Sequence, residues 1–303
     1  MLTRYEQGNL TWIDLVTPNE TEVRALMHEF GLHPLVAQDL LAPSQKSKVE
    51  RYDGIFYLVL TFPTLRGGYQ ARALQEIDFC LGKNFFITTR YENINPLHSF
   101  AKAFEAHTVL GGTGSQLQSL HIFSSMLRNL YQGLVAECDA LGLRLAEIEE
   151  QIFKGDERSM VAKLSHVGRM IHDFRQALVP HREILRGLEL PGEKIFGREF
   201  VYYLQGVVRE HKRVEEALEN LKETLGELRE TNNSLLETKQ NEIMKTLTVL
   251  AFIFLPLTFI GQIFGMSVPL PLAENPYSFW FVIGSMVIIA GAIFLYFKRR
   301  GWL

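Results

Sequence analysis

Two stretches of the chain, Thr246 to Phe264 and Phe279 to Phe297, contain no charged residue, whereas Arg209 to Lys245 is densely charged. Each apolar run is about 19 residues, close to the roughly 20 that an α-helix needs to cross a bilayer core of about 30 Å. Both are therefore expected to span a membrane; the competing reading is a pair of buried core helices in a soluble protein. Lys239 and Lys245 precede the first run, Lys298, Arg299 and Arg300 follow the second, and the loop between them has no Lys or Arg. By the positive-inside rule both ends then lie in the cytoplasm, with only 265–278 outside.

Upstream of the first run, from about Gln116, the pattern is helical, broken near Lys154-Gly155-Asp156 and Leu190-Pro191-Gly192. Three long helices are predicted. The last starts at about Arg198 and continues through the first apolar run, which at 1.5 Å per residue makes it on the order of 100 Å long. Leu204, Val207, His211, Val214, Leu218, Leu221, Leu225, Leu228, Asn232 and Leu235 recur along it at steps of three and four. Such a seam either packs on the chain's own helices or aligns several copies of this helix around an axis, and its continuity into the membrane favours the second. His211 and Asn232 interrupt it as register-setting or tolerated polar positions.

The first hundred or so residues change pattern often, as in a mixed α/β domain. Leu10–Val16, Ile55–Leu60 and Phe85–Thr89 are strand-like. Thr17-Pro18-Asn19-Glu20 caps a helix carrying Val23, Leu26, Met27 and Phe30 and closed by Gly31, and Asp53-Gly54 and Gly82-Lys83-Asn84 supply turns. The predicted fold class is an α+β cytoplasmic domain (1–115), a helical and stalk region (116–245), two transmembrane helices (246–264 and 279–297), an outer loop (265–278) and a basic tail (298–303).

Composition narrows the function. The chain's 303 residues carry 31 Lys plus Arg against 34 Asp plus Glu, so no nucleic-acid footprint is visible. Cys80 and Cys138 are the only cysteines and are far apart, giving neither a disulfide framework nor a thiolate metal site. Met1–Glu6 has neither the apolar run of a signal peptide nor the Arg/Ser-rich, acid-poor character of a transit peptide, so the chain is expected to stay where it is made. Gly111-Gly112-Thr113-Gly114 lacks the Lys of a P-loop, no other enzyme motif is present, and no tightly bound cofactor is expected. The acids Glu147, Glu149, Glu150, Asp156 and Glu157 read as a solvated face.

On the first transmembrane run Asn241, Met244, Leu247, Ala251, Leu255, Thr258 and Gln262 share one helical face. An unpaired Gln amide facing lipid is expensive, so Thr258 and Gln262 should face protein or water, as pore lining or as helix-to-helix hydrogen bonding. Pro256 is read as a local adjustment. The segments Asn241–Thr248, Ile253–Ile260 and Gly265-Met266, together with Trp12–Leu15, Leu32–Leu35, the order of the spans and the tail ending in Trp302-Leu303, resemble the CorA family of magnesium channels.

That resemblance implies a funnel-shaped homopentamer in the cell (inner) membrane, in contact with lipid. The first span would line a pore for hydrated Mg2+ or Co2+. Gly265, Met266 and Ser267 would form the outer mouth, with Glu274 attracting cations. The family closes this span with Gly-Met-Asn, and Ser267 departs from it. A Ser ring is wider and presents weaker dipoles to an ion that keeps its waters, and Gln262 stands where the family has glycine, so its amide could meet the hydrated ion at a lower level. Ser267 and Gln262 are the expected metal-facing residues. A stalk position aligned with a family regulatory acid is Gly206 here, so that ligand is missing. A zinc-transporting relative and a non-conducting membrane-anchored scaffold remain alternatives.

Overall fold

The computed structural model describes every residue except Gln45, 65–72, 93–94, 110–118, 266–276 and Leu303. The chain divides into two compact units, Met1–Arg229 and Glu230–Leu303. In the first, strands β1 (Leu2–Gln7), β2 (Leu10–Val16), β3 (Lys48–Tyr52), β4 (Ile55–Thr64), β5 (Ala73–Leu81) and β6 (Phe85–Arg90) form one sheet in the order β1-β2-β6-β5-β4-β3. Only β2 and β6 run parallel; the other pairs are antiparallel.

Local chemistry explains the turns. Asp53 (φ 40°) and Gly54 (φ 85°) both take the left-handed conformation that a tight β3–β4 hairpin requires. Helix α1 (Glu20–Phe30) begins with a capping box: Glu22 N–H donates to Asn19 Oδ1 at 2.8 Å and Asn19 N–H to Glu22 Oε2 at 3.0 Å. It ends at Gly31, φ 65°. The Leu32-His33-Pro34-Leu35 segment starts α2 (Pro34–Asp39), because His33 Nδ1 accepts from Leu35 N–H and Pro34 occupies the first turn, where no amide hydrogen is needed.

Alternation along the strands builds two cores. Ile13, Leu15, Tyr57, Val59, Cys80 and Ile87 pack with Val23, Leu26, Val36 and Leu40 of α1, α2 and their flanks. The opposite face carries Trp12, Phe56, Phe79 and Phe86, all essentially inaccessible. Trp12 meets Phe100 and Phe104 of α3 (Asn95–Val109), and Phe79 and Phe86 meet Phe123 of α4 (Ser119–Phe153). Phe56 stacks near Phe196, the last residue of α5 (Glu157–Phe196), and Phe200 of α6 (Arg198–Gly265). Truncating one such Phe to Ala costs about 3–5 kcal/mol.

The helix break expected at Leu190-Pro191-Gly192 is not there. Helix α5 runs through Pro180 and Pro191 and stops at Gly197, φ 85°. Gly192 serves packing instead: a Cβ there would stand 2.1 Å from the Phe200 ring. The break near Lys154-Gly155-Asp156 does fall between α4 and α5, at Gly155 with φ 96°.

The seam on α6 is covered within the chain. Leu204, Val207, His211, Val214, Leu218, Leu221, Leu225 and Leu228 are buried. Gly142 of α4 lies against Leu221, and Gly168 of α5 against Leu225. His211 Nε2 lies 3.2 Å from the Leu178 carbonyl oxygen, and Arg182 donates two bonds to Glu215, at 2.8 and 2.9 Å. The partners of this stripe in the first unit are therefore α4 and α5, not further copies of α6. Asn232 is buried as well, and Leu235 is half-buried.

His211 belongs to a buried polar cluster. Tyr131 Oη and His181 Nδ1 are 2.9 Å apart, and the His211 ring lies 5.4 Å from Tyr131 and 6.1 Å from His181. Burial, assisted by the neighbouring His211, pulls His181 down from 6.5 to about 3. The native state thus holds neutral imidazole while the unfolded chain takes up a proton below 6.5. The contribution is complete above pH 6.5 and is lost as pH falls from there toward 3, at about 1.4 kcal/mol per pH unit. Thermal unfolding should show a steep loss of stability between pH 6.5 and 5 that His181→Gln reduces; an unchanged slope would show that another group controls it.

A polar stripe on a membrane-spanning helix

The second unit contains the end of α6 and α7 (Ser278–Arg299), both long and apolar enough to cross a membrane. Only 6% of the apolar window of α6 is buried within the chain, and none of that of α7, so these are not core helices of a soluble protein. Such surfaces need lipid or further protein to cover them.

The two sides of this part of α6 differ. One side meets α7: Val249 is buried, Ile253, Pro256, Ile260 and Ile263 are half-buried, Phe252 lies 5.7 Å from Phe297 between ring centroids, and the Gly261 backbone lies beside Met286. The other side carries Asn241, Met244, Leu247, Ala251, Leu255, Thr258 and Gln262, all exposed. At 100° per residue the two stripes lie on nearly opposite sides of the helix, so α7 leaves the polar one uncovered. Asn241 and Gln262 are separated by about 30 Å of helix rise, the thickness of a bilayer core.

Hydroxyl orientation adds chemistry. Thr258 Oγ1 donates to the Leu255 carbonyl at 2.9 Å, and Thr246 and Thr248 donate to the carbonyls of Glu242 and Met244 at 3.0 and 2.7 Å. With its proton spent on the backbone, Thr258 offers oxygen lone pairs outward, the polarity that suits the waters around a cation. No charged side chain lies between Thr246 and Phe264, so this face acts through neutral dipoles. Among the described residues no group of three His, Cys, Asp or Glu is placed to hold a metal.

Helix α6 ends at Gly265. Met266, Ser267 and Glu274, expected at the outer mouth, lie outside the described residues. The α7-facing stripe was not singled out from the sequence, although its spacing of three and four residues is as regular as that of the polar one.

Residues 7–299 match the protein family described as CorA-like Mg2+ transporter protein. The chain belongs to that family. It is 26% identical over 295 residues to the cobalt/magnesium transport protein CorA of Thermotoga maritima, covering 97% of this chain and 83% of that protein. To the cobalt/magnesium transport protein CorA of Methanocaldococcus jannaschii it is 26% identical, covering 99% and 93%. The solved complete CorA magnesium transporter from M. jannaschii superposes with a TM-score of 0.84 at 22% identity, over 99% of this chain and 93% of that one. The cytoplasmic domain of ZntB from Vibrio parahaemolyticus shares the fold at a TM-score of 0.55 and 13% identity, covering 78% of this chain and 90% of that one. The CorA architecture of an α/β domain, a long helix and two C-terminal candidate spans is thus the architecture of this chain.

Gly261 tests the α6–α7 contact. A Cβ there would meet Met286 at an ordinary 3.7 Å, whereas a longer side chain would drive into α7. Gly261→Ala should leave thermal stability in detergent unchanged or slightly raised. Gly261→Leu should lower it, by about 1–3 kcal/mol.

Proposed function

We propose that this CorA-family chain is one subunit of a homopentameric divalent-cation channel that conducts hydrated Mg2+, and Co2+ with it, through a pore lined by α6. The observation that carries the reading is the uncovered stripe from Asn241 to Gln262, on the side of α6 away from α7. Facing lipid, the Gln262 amide would lack partners and cost several kcal/mol. Copies arranged around an axis with this stripe inward place it in water, and α7 then lies on the lipid side. The names of the curated relatives support magnesium and cobalt as the ions.

In this reading 246–264 and 279–297 cross the cell membrane, 265–278 lies outside, and the N-terminus and the tail 298–303 are cytoplasmic. Lys298, Arg299 and the loop without basic residues support that orientation. Neutral rings of Thr258 and Gln262 would meet an ion that dehydrates reluctantly without stripping its waters. Gly265, Met266 and Ser267 would frame the mouth, and a Glu274 ring would concentrate cations there.

Single cysteines report on water access along α6. The native Cys80 and Cys138 are buried, and burial pushes the first thiol well up and the second up to about 12, so neither competes for reagent. Cysteines at Leu247, Ala251, Leu255 and Thr258 should react with a charged, water-soluble thiol reagent, and those at Ile253, Ile260 and Ile263 should not. Equal reactivity of the two sets would sink the pore assignment.

Uptake into liposomes loaded with a magnesium-sensitive dye addresses selectivity. Wild-type protein should admit Mg2+; Ser267→Asn should sharpen discrimination against other divalent ions, and Gln262→Gly should relax it. Unchanged discrimination in both variants would place the filter elsewhere.

A further inference from the structure

The buried cluster of Tyr131, His181 and His211 adjoins an ion pair that ties two helices together. Arg182 of α5 holds the Glu215 carboxylate of α6, its Nη2 donating to both oxygens at 2.8 and 2.9 Å. Glu215 also stands one turn after His211, whose Nδ1 lies 3.7 Å from its Oε2. One carboxylate is thus placed between a cation on the neighbouring helix and an imidazole on its own.

The contacts of His211 fix where it takes up a proton. Its Nε2 faces the Leu178 carbonyl oxygen at 3.2 Å, and since a carbonyl only accepts, Nε2 carries the ring hydrogen. In the neutral ring Nδ1 therefore turns a lone pair toward Glu215, too far and of the wrong polarity for a hydrogen bond. A second proton enters at Nδ1 and reverses that polarity. A charge-assisted bond to a carboxylate is about 2.8 Å long, so Glu215 then moves about 1 Å toward the imidazolium, at the expense of its bonds to Arg182.

Among the described residues, the other titratable and charged groups facing the two imidazoles are Tyr131 of α4, Arg182 of α5 and Glu215 of α6. Strand β4 contributes only the Thr61 backbone and the Phe62 ring, 5.1 Å from that of His181. Burial lowers His211 from 6.5 and Arg182 lowers it further, while the Leu178 carbonyl and Glu215 act the other way. The native ring is thus neutral at neutral pH and charges in acid. His181 does not compete for that proton: its Nδ1 is engaged by Tyr131, and a charge on His211, 6.1 Å away between rings, opposes a second one.

We propose that Arg182, Glu215 and His211 form an acid-released latch between α5 and α6: protonation of His211 draws Glu215 from Arg182 to the imidazolium, and the bond between the helices becomes a bond within one helix. All its parts lie inside the first unit of a single chain, so the latch itself is independent of the pore assignment. Its effect on ion flux rests on that reading, in which the loosened α6 continues into the pore.

The test is amide hydrogen exchange of the full-length protein in detergent at about pH 7.5 and 5.5, either side of the ordinary imidazole value of 6.5 and corrected for the chemical pH dependence of exchange. In acid, 178–186 and 207–215 should exchange about threefold faster, the worth of a half-exposed ion pair, while Leu10–Val16 of the sheet stays unchanged. His211→Gln keeps a donor for the Leu178 carbonyl but takes up no proton, and should remove the acid response without altering exchange at neutral pH. Arg182→Gln, at an exposed side chain that the fold does not need, should raise neutral-pH exchange to the acid level and leave no further response. His181→Gln should retain the response. An acid response that survives His211→Gln or Arg182→Gln, or that His181→Gln abolishes, overturns the proposal. Mg2+ uptake into liposomes should differ between the two pH values for wild type and not for His211→Gln; uptake indifferent to pH while exchange responds overturns the latch as a control on the pore. Absence of uptake at either pH counts against the channel reading alone, because exchange reports the latch without conduction.

Discussion

A helix that starts in water and ends in lipid has to hide opposite kinds of side chain at its two ends. Helix α6 is 68 residues long. Its first half must bury leucines and valines, and α4 and α5 do that within the same chain. Its last part faces the reverse demand, because apolar side chains are at home in lipid while an amide is not. Helix α7 takes one apolar side of that segment, and the side bearing Asn241, Thr258 and Gln262 is left without a partner among the described residues. In the proposed channel, it is this stripe that further copies of the helix would cover.

The first unit gives the long helix a firm base. The sheet's outer aromatic face meets α3, α4 and the start of α6, so displacing α6 near Phe200 disturbs Phe56 and Phe196 as well. Gly192 lets α5 approach Phe200 to a distance no other residue allows. Deeper along the helices, Tyr131, His181 and His211 add directional contacts to this apolar packing. Buried polar groups of this kind are costly unless paired, and so they restrict the register in which α4, α5 and α6 can pack.

Much of this was legible residue by residue. Asn19 and Gly31 bounded α1, Asp53-Gly54 marked a turn, and the two uncharged runs marked the membrane helices, because capping, positive φ and bilayer transfer act over a few residues or through composition alone. Pro191-Gly192 misled for the same reason: the local rule says turn, but tertiary contact with Phe200 rewards a glycine inside a helix. Strands β1 and β3 were missed, since edge strands such as Lys48–Tyr52 lack clear alternation and are held by their neighbours, and the interior strand β5 was missed because Glu76 and Asp78 interrupt its apolar run.

By itself the sequence determined the membrane spans, the period of the α6 seam and the shared face of Asn241 to Gln262, which follow from the 3.6-residue repeat and from hydropathy, and the family likeness, which rests on particular residue motifs. Only the tertiary structure decided what covers each stripe. A seam of leucines specifies that it must be buried but not by which surface, because apolar attraction carries no direction. Its burial against α4 and α5, and the placement of α7 away from the polar stripe, depended on the packing of whole helices.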